Sequence, residues 1–380
     1  MHAIINGRIV LPDRLVENMA IVYSGKIEGI VAPENIPAGA EIIDAQGNYV
    51  IPGLIDMHIH GYLGEDASDG SFDGIKTMAE GVAKNGVTAF LPTTMTVSYD
   101  ELRASFAQIR RGVEESKSAS WQGAQILGVN AEGPFICPAK KGAQAGEHIC
   151  PGDAAFLTEY LDIIHVFTIA PEMPGNMECI REMAGKTLIS MGHTNATFDE
   201  AQASIEAGVG HVTHRFNAQT ALMHRDPGVV GAALTDDRVS CELIADTFHV
   251  SRNLYPLVQR MKGDKLVLIT DCTRAGGLAD GEYTLGGQPI FVRGIECRLA
   301  DGTIAGSVLK LNHAVRNYMQ YASVPVWEAV NAASLNPAKR IGADGSKGSL
   351  EKGKDADIVI CDKDFEIINT IVSGRSIYTA

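Results

Sequence analysis

The sequence predicts an α/β fold: a (β/α)8 barrel of the TIM type, with a small β-sandwich domain formed from both chain termini. Three observations carry this reading. Eight short apolar runs of β character, most of them separated by helical stretches, fill the middle of the 380-residue chain. Both ends have a different texture, of short strands punctuated by turns. The ionisable residues that interrupt the apolar runs gather at the carboxyl ends of those runs, where a barrel builds its active site. A doubly wound sheet is the competing architecture. It would need a G-x-G-x-x-G after its first strand, and the sequence has none.

The elements follow in order. AIINGRIV, NMAIVYSGKIEGIVA and AEIIDAQGNYV read as strands, with Asn-Gly, Ser-Gly and Gln-Gly-Asn where hairpin turns belong. The tail, GSLEKGKDADIVICDKDFEIINTIVSGRSIYTA, repeats this antiparallel texture. Residues 1–51 and 342–380 are therefore expected to form one small β domain in two parts, with residues 52–341 as the barrel. Its eight runs are LIDMHIH, VTAFLPTT, QILGVNAEG, IIHVFTIAPE, TLISMGHT, GHVTHRFN, VSCELIAD and KLVLITDC. Between the first two, residues 72–86 form a helical pattern in which Ile75, Met78 and Val82 share a face and Gly86 is the stop. Residues 197–210 open on Thr197 with Glu200 three residues in, the spacing of a capping box, and close on glycine.

Composition narrows the function classes. The net charge is −14, from 46 acidic and 32 basic side chains, which argues against nucleic acid or an anionic membrane as partner. An anionic small substrate would need its own pocket of basic or N–H groups. The seven cysteines contain no C-x-x-C pair, so reduced thiols in the cytoplasm fit better than a disulfide framework. The opening MHAIINGRIVLPD carries Arg8 and a Pro-Asp break and does not read as a signal peptide. No uncharged apolar run reaches membrane-spanning length.

The run ends carry the chemistry. IDMHIHG puts His58 and His60 two apart, so on a strand both face the same way, and Gly61 lets the backbone turn out. Glu132 ends run three, His193 run five, His214 run six and Asp271 run eight. A lone strand histidine is usually structural. Six His, Glu or Asp residues at the same end of five runs point jointly to a divalent-metal site with a proton carrier. His211 begins its run and reads as structural. Asn217, Arg225 and His249 follow successive late strands and suit a phosphate or carboxylate. Cys272 adjoins Asp271 but should face the other way and pack. GKT at 185–187 lacks the glycine a P-loop needs, and neither H-E-x-x-H nor G-x-S-x-G occurs.

PGLIDMHIHG, LPTTMT, EGPFI, MGHTNAT, THRFNA, HRDPGVVGAAL, TDC and NAASLNPAKRIG…KGSLEKGKDADIVICD together resemble the N-acetylglucosamine-6-phosphate deacetylases of the amidohydrolase superfamily. The resemblance spans nearly the whole chain. It implies hydrolysis of an N-acetyl group from an amino-sugar phosphate, a barrel with a β-sandwich, one or two divalent ions (Zn, Fe, Mn or Co) and a homodimer. It also implies that Glu132, His193 and His214 hold the main metal, that His58 and His60 hold a second, and that Asp271 is the general acid/base. Gln144, Asn217, Ala218, Arg225 and His249 would bind substrate, with Arg225 a candidate for the neighbouring subunit's site. The chain departs from the family pattern at Arg215 and Gln219 (HRFNAQ for HLFNAM), at Thr247 (DTFH for DGxH), at Cys272 (TDCT for TDAM) and at Gln144, a position that is often His. Those departures keep an isomer such as N-acetylgalactosamine 6-phosphate in play. A deaminase, a cyclic-amide hydrolase or a metal-free sugar-phosphate binder are the remaining alternatives.

Overall fold

The computed structural model of the chain describes residues 1–380. Eight strands follow one another: β1 (Leu54–Ile59), β2 (Val87–Thr94), β3 (Val129–Glu132), β4 (Ile164–Ile169), β5 (Leu188–Met191), β6 (His211–Val212), β7 (Ser240–Ile244) and β8 (Leu266–Ile269). Each pairs in parallel with the next. The seam between β8 and β1 closes just past the strand ends. The Asp271 N–H donates to the His58 carbonyl at 2.9 Å, and the His60 and Gly61 N–H groups both donate to the Cys272 carbonyl at 2.9 Å. Below them the Asp56 carboxylate accepts the Thr270 hydroxyl at 2.6 Å. All eight predicted runs thus become barrel strands. β6 is the shortest because His214, Phe216 and Ala218 adopt left-handed backbone, which a strand cannot hold.

Most helices between strands bury one stripe against the barrel, while Gly228–Thr235 is buried nearly all round. Phe72–Ala83 starts on Ser71, whose hydroxyl accepts the Gly74 N–H, and buries Ile75, Met78 and Val82 as the periodicity predicts. It ends at Ala83, three residues before the predicted stop. Gly86 instead uses its φ of 77° to turn the chain into β2. Phe198–Ala207 carries the predicted capping box between Thr197 and Glu200.

The two ends of the chain supply two further sheets. One holds His2–Ile5, Ala20–Tyr23, Ile27–Val31 and Glu41–Asp44; the other combines Arg8–Val10, Leu15–Val16 and Tyr49–Pro52 with Ile358–Cys361, Ile367–Val372 and Arg375–Thr379. Ile4, Ile21 and Tyr23 of the first meet Ile9, Val50, Ile358, Ile360 and Ile371 of the second in one buried cluster. Burying an aliphatic side chain of this size contributes roughly 1.5–3 kcal/mol. Of the three turns read as hairpins, only Ser24-Gly25 joins paired neighbours. Asn6-Gly7 and Gln46-Gly47-Asn48 are corners that carry the chain from one sheet to the other, so some of the pairings are parallel. A Cβ on Gly7 would lie 2.4 Å from Val50 Cγ2, which explains a glycine at that crossing.

One element was not expected. After β8 the chain forms a three-stranded antiparallel sheet, Gly281–Leu285, Gln288–Arg293 and Glu296–Leu299, with its own small core. Ile290 and Val292 face inward, and Phe291 lies exposed between them, which blurs the alternation that would reveal a strand. This insertion reaches over the barrel mouth. No helix is long and apolar enough to cross a membrane.

Arg215 lies in the barrel wall rather than at its mouth. Its side chain is fully buried, with Nη2 2.8 Å from the Cys241 sulfur and with Nε and Nη1 lacking partners. Burial lowers its pKa, and the nearby Lys262 ammonium carries the same charge. A buried charge without a counter-ion costs more than an apolar side chain of similar length. Arg215→Met is therefore expected to stabilise the fold by about 1–4 kcal/mol in urea unfolding. A loss of stability would show that the guanidinium has a favourable role in the wall.

Candidate metal centre and active-site pocket

Six of the residues singled out at run ends meet at the carboxyl mouth of the barrel. His58 lies in β1, His60 one residue past it, Glu132 ends β3, and His193, His214 and Asp271 stand two residues beyond β5, β6 and β8. They form two groups, Glu132–His193–His214 and His58–His60–Asp271; within each, the candidate ligand atoms lie within 4.8 Å of one another. Glu132 joins the groups. Its Oε1 is 2.9 Å from His214 Nε2, 3.2 Å from His193 Nε2 and 3.4 Å from His58 Nε2, while its Oε2 is 3.1 Å from His60 Nε2. Asp271 Oδ1 sits 3.2 Å from His60 Nε2 and 3.6 Å from His58 Nε2.

The histidine orientations are set from behind. Nδ1 of His60 lies 3.1 Å from the Thr93 carbonyl, that of His193 2.8 Å from the Lys140 carbonyl, and that of His214 3.2 Å from the Asn217 carbonyl. His58 Nδ1 lies 3.0 Å from the Glu242 carboxylate. Carbonyls and carboxylates only accept, so each Nδ1 carries a proton and each Nε2 turns inward. His193 and His214 then face each other Nε2 to Nε2 at 3.0 Å, and His58 and His60 at 3.4 Å. Lone pairs that close repel unless a cation or a proton lies between them.

Electrostatics agree. Burial disfavours the charged form of His58, but the Glu242 and Glu132 carboxylates outweigh it and push the imidazole up to about 9. His60 rises well above its usual value: burial opposes this, and the Asp271 and Glu132 carboxylates overcome it. Glu132, which burial alone would raise, is held well below the carboxylate range by His193 and His58. With no divalent ion the site holds its protons, and a metal ion would compete with them for the same nitrogens. Imidazole nitrogens with carboxylate oxygens fit a divalent cation of the Zn, Fe, Mn or Co kind.

The mouth also concentrates backbone strain. His193, His214, Phe216, Ala218, Thr247 and Asp271 all have positive φ, from 22° to 76°. Such positions cost on the order of 1–3 kcal/mol each and persist where surrounding bonds over-determine them. Gly306 lets the chain pass close beneath Asp271: a Cβ there would lie 2.7 Å from Thr273 Cγ2 and 3.0 Å from the Asp271 carbonyl.

A cavity of about 360 Å³ opens over this centre, and Gln144, Asn217, Ala218 and His249 line it with the metal-type residues. His249 Nδ1 is held 2.6 Å from Asp246 Oδ2. Gln144 is more constrained than expected of a substrate contact. Its Oε1 accepts the Thr96 N–H at 2.7 Å, which leaves its Nε2 to donate to Glu132 at 2.6 Å. It therefore steadies a candidate ligand. Asn217 turns its amide back onto the His214 and Arg215 carbonyls. Arg225 is exposed on a loop and does not line the cavity of its own chain. Nor do Arg215, Gln219, Thr247 and Cys272, whereas Gln144, the remaining departure from the family pattern, does. Gln219 donates to the Thr213 carbonyl at 2.6 Å, Thr247 packs by Tyr255, and Cys272 lies in the main core. Arg215 and Cys272 each follow a site residue and face away from it, and Gln219 turns its amide onto the Thr213 carbonyl, so none of the four reaches the cavity.

Several site residues escaped the sequence reading. Glu242 is fully buried within β7, where its Oε2 meets His58 Nδ1 and accepts the His214 N–H at 2.8 Å. His211, read as structural, is fully buried and leans on the other oxygen of Glu242 at 3.3 Å. An acidic residue inside the apolar run VSCELIAD was the available signal. Lys140, Leu285, Thr303 and Ile304 also line the cavity. They come from the loop after β3, from the end of the first inserted strand and from the segment just past the inserted sheet, which no periodicity marks.

Comparisons with known proteins agree with this geometry. The model of the Amidohydrolase family matches residues 49–377. The chain is 38% identical over 377 residues to an N-acetylglucosamine-6-phosphate deacetylase of Bacillus subtilis, covering 97% of this chain and 94% of that one. It is 35% identical to an N-acetylgalactosamine-6-phosphate deacetylase of Escherichia coli O157:H7, covering 92% of each. The crystal structure of N-acetylglucosamine-6-phosphate deacetylase from Pasteurella multocida superposes with a TM-score of 0.94 at 32% identity over the full length of both chains. Matched across barrel, sandwich and mouth alike, the chain belongs to the amidohydrolase family and, within it, to the N-acetylglucosamine-6-phosphate deacetylases.

Proposed function

We propose that the chain hydrolyses the N-acetyl group of N-acetylglucosamine 6-phosphate to give glucosamine 6-phosphate and acetate. The observation that carries this is the pair of His/acid groups joined through Glu132, with Asp271 beside them, at the floor of one cavity in a member of this family. In this reading Glu132, His193 and His214 hold one divalent ion, and His58, His60 and Asp271 offer ligands for a second. Such an ion, when bound, polarises an amide carbonyl and acidifies water. Asp271 takes the proton of the attacking water and passes it to the amine nitrogen as the C–N bond breaks. Burial alone would raise the pKa of Asp271, but His60 and His58 outweigh it, so the carboxylate is ionised and ready to act as a base. His249, oriented by Asp246, and the 217–218 turn receive the phosphate. The exposed Arg225, with Leu222 and Met223 exposed beside it, supports a homodimer in which this loop reaches the neighbouring site. A cytoplasmic location is consistent with seven free thiols.

Acetate and ammonia release across N-acetyl amino-sugar phosphates tests the reading. The highest kcat/KM is expected on N-acetylglucosamine 6-phosphate, with acetate as product. A preference for N-acetylgalactosamine 6-phosphate would shift the substrate, and ammonia without acetate would replace a deacetylase by a deaminase. Asp271→Asn is expected to lower kcat by about 10²–10⁴-fold while the Glu132 group keeps its metal. Turnover near that of the unmodified enzyme would remove Asp271 from proton transfer. Glu242→Gln should weaken divalent-metal affinity about 10–100-fold in chelator competition, since a neutral amide no longer supports His58. Unchanged affinity would reduce Glu242 to a packing role.

A further inference from the structure

We infer that Lys140 is the cation by which this chain itself recognises the phosphate group, and that it sets the preference for phosphorylated over unphosphorylated sugar; this rests on the deacetylase reading above. The starting point is charge. The chain carries a net charge of −14, and on the cavity floor the Glu132 and Asp271 carboxylates already engage the imidazoles and any ion these would hold. A dianionic phosphate entering such a cavity needs a compensating positive charge close by. Among the 18 residues that line the cavity, Lys140 is the only lysine or arginine.

Its attachment suits the task. Lys140 ends the short 3-10 turn Pro138–Lys140, and its carbonyl is the acceptor that holds His193 Nδ1 at 2.8 Å. The Cys137 N–H in turn donates to the His193 carbonyl at 2.9 Å. The backbone of this turn is therefore tied to the candidate metal centre, while its side chain reaches the neighbouring 217–219 segment. There Nζ donates to the Gln219 carbonyl at 3.3 Å. Gln219 directly follows Asn217 and Ala218, which line the cavity and are pinned by the bond from the Thr194 N–H to the Ala218 carbonyl at 3.0 Å. The ammonium is thus held beside the segment expected to meet the phosphate, by one long bond to a neutral oxygen. Two of its three donors remain for a ligand. An anion forms a stronger, charge-assisted bond than that carbonyl, and a four-carbon stem lets Nζ follow it. A purely structural lysine at this point would pin the 217–219 turn and would be indifferent to whether the sugar is phosphorylated.

Two measurements decide between these roles. The first is kcat/KM for N-acetylglucosamine 6-phosphate relative to N-acetylglucosamine, on the metal-loaded enzyme. Lys140→Met should lower this ratio about 10–100-fold, mainly through KM for the phosphorylated sugar, and Lys140→Arg should restore most of it. The second is calorimetric binding of glucosamine 6-phosphate and of inorganic phosphate to chelator-treated protein, which needs no turnover. Lys140→Met should weaken both about tenfold or more. A ratio unchanged in Lys140→Met, or phosphate binding unchanged, overturns the assignment. If the unmodified enzyme releases no acetate from any N-acetyl amino-sugar phosphate, the deacetylase reading fails, and the binding measurement still decides whether Lys140 recognises phosphate.

Discussion

Everything at the barrel mouth depends on one arrangement: an acceptor behind the Nδ1 of each inward-facing histidine. Three of those acceptors are backbone carbonyls, of Thr93, Lys140 and Asn217, and the fourth is Glu242. A backbone carbonyl cannot be lost by substitution, and each of these three belongs to a different strand end or loop. The orientation of the imidazoles is therefore a property of the fold as a whole. The strain at His193, His214 and Asp271 has the same origin. The backbone is bent so that side chains from several strands converge, and the hydrogen bonds behind them keep it bent. The convergence of four Nε2 atoms and two carboxylates then leaves a positive charge as the natural occupant.

Much of this was legible in the sequence because barrels and metal sites leave periodic or positional marks. Alternation in IDMHIHG put His58 and His60 on one face, and the recurrence of His, Glu or Asp at run ends located the mouth. Eight apolar runs became eight strands. What escaped had no such mark. Asn6-Gly7 and Gln46-Gly47-Asn48 have hairpin composition, but a local dipeptide does not reveal whether the next strand returns to the same sheet or crosses to another. The inserted sheet hides because Phe291 faces solvent between two buried residues. Glu242 hides because a single acidic residue in an apolar run is read more readily as a breach of pattern than as a buried anchor.

The departures at Arg215, Gln219, Thr247 and Cys272 show where reasoning from resemblance overreached. In sequence they flank site residues closely. In space a neighbour on a strand or tight turn faces the opposite layer, so Arg215 entered the wall and Cys272 the main core. The residues that do line the cavity include Leu285 of the inserted sheet and Thr303 and Ile304 just past it.

The seam that closes the barrel has a further bearing on how this molecule comes into being. His58 and Asp271 meet there although 213 positions separate them, and Tyr49–Pro52 pairs still later in the chain with Ile358–Cys361. Nothing resembling the finished centre can exist on a ribosome until nearly three-quarters of the polypeptide has emerged, and its flanking sheet waits for the last few dozen residues. During that interval the first strand, with His58 and Asp56, has no mate on one edge, an open strand edge of the kind that invites wrong pairing.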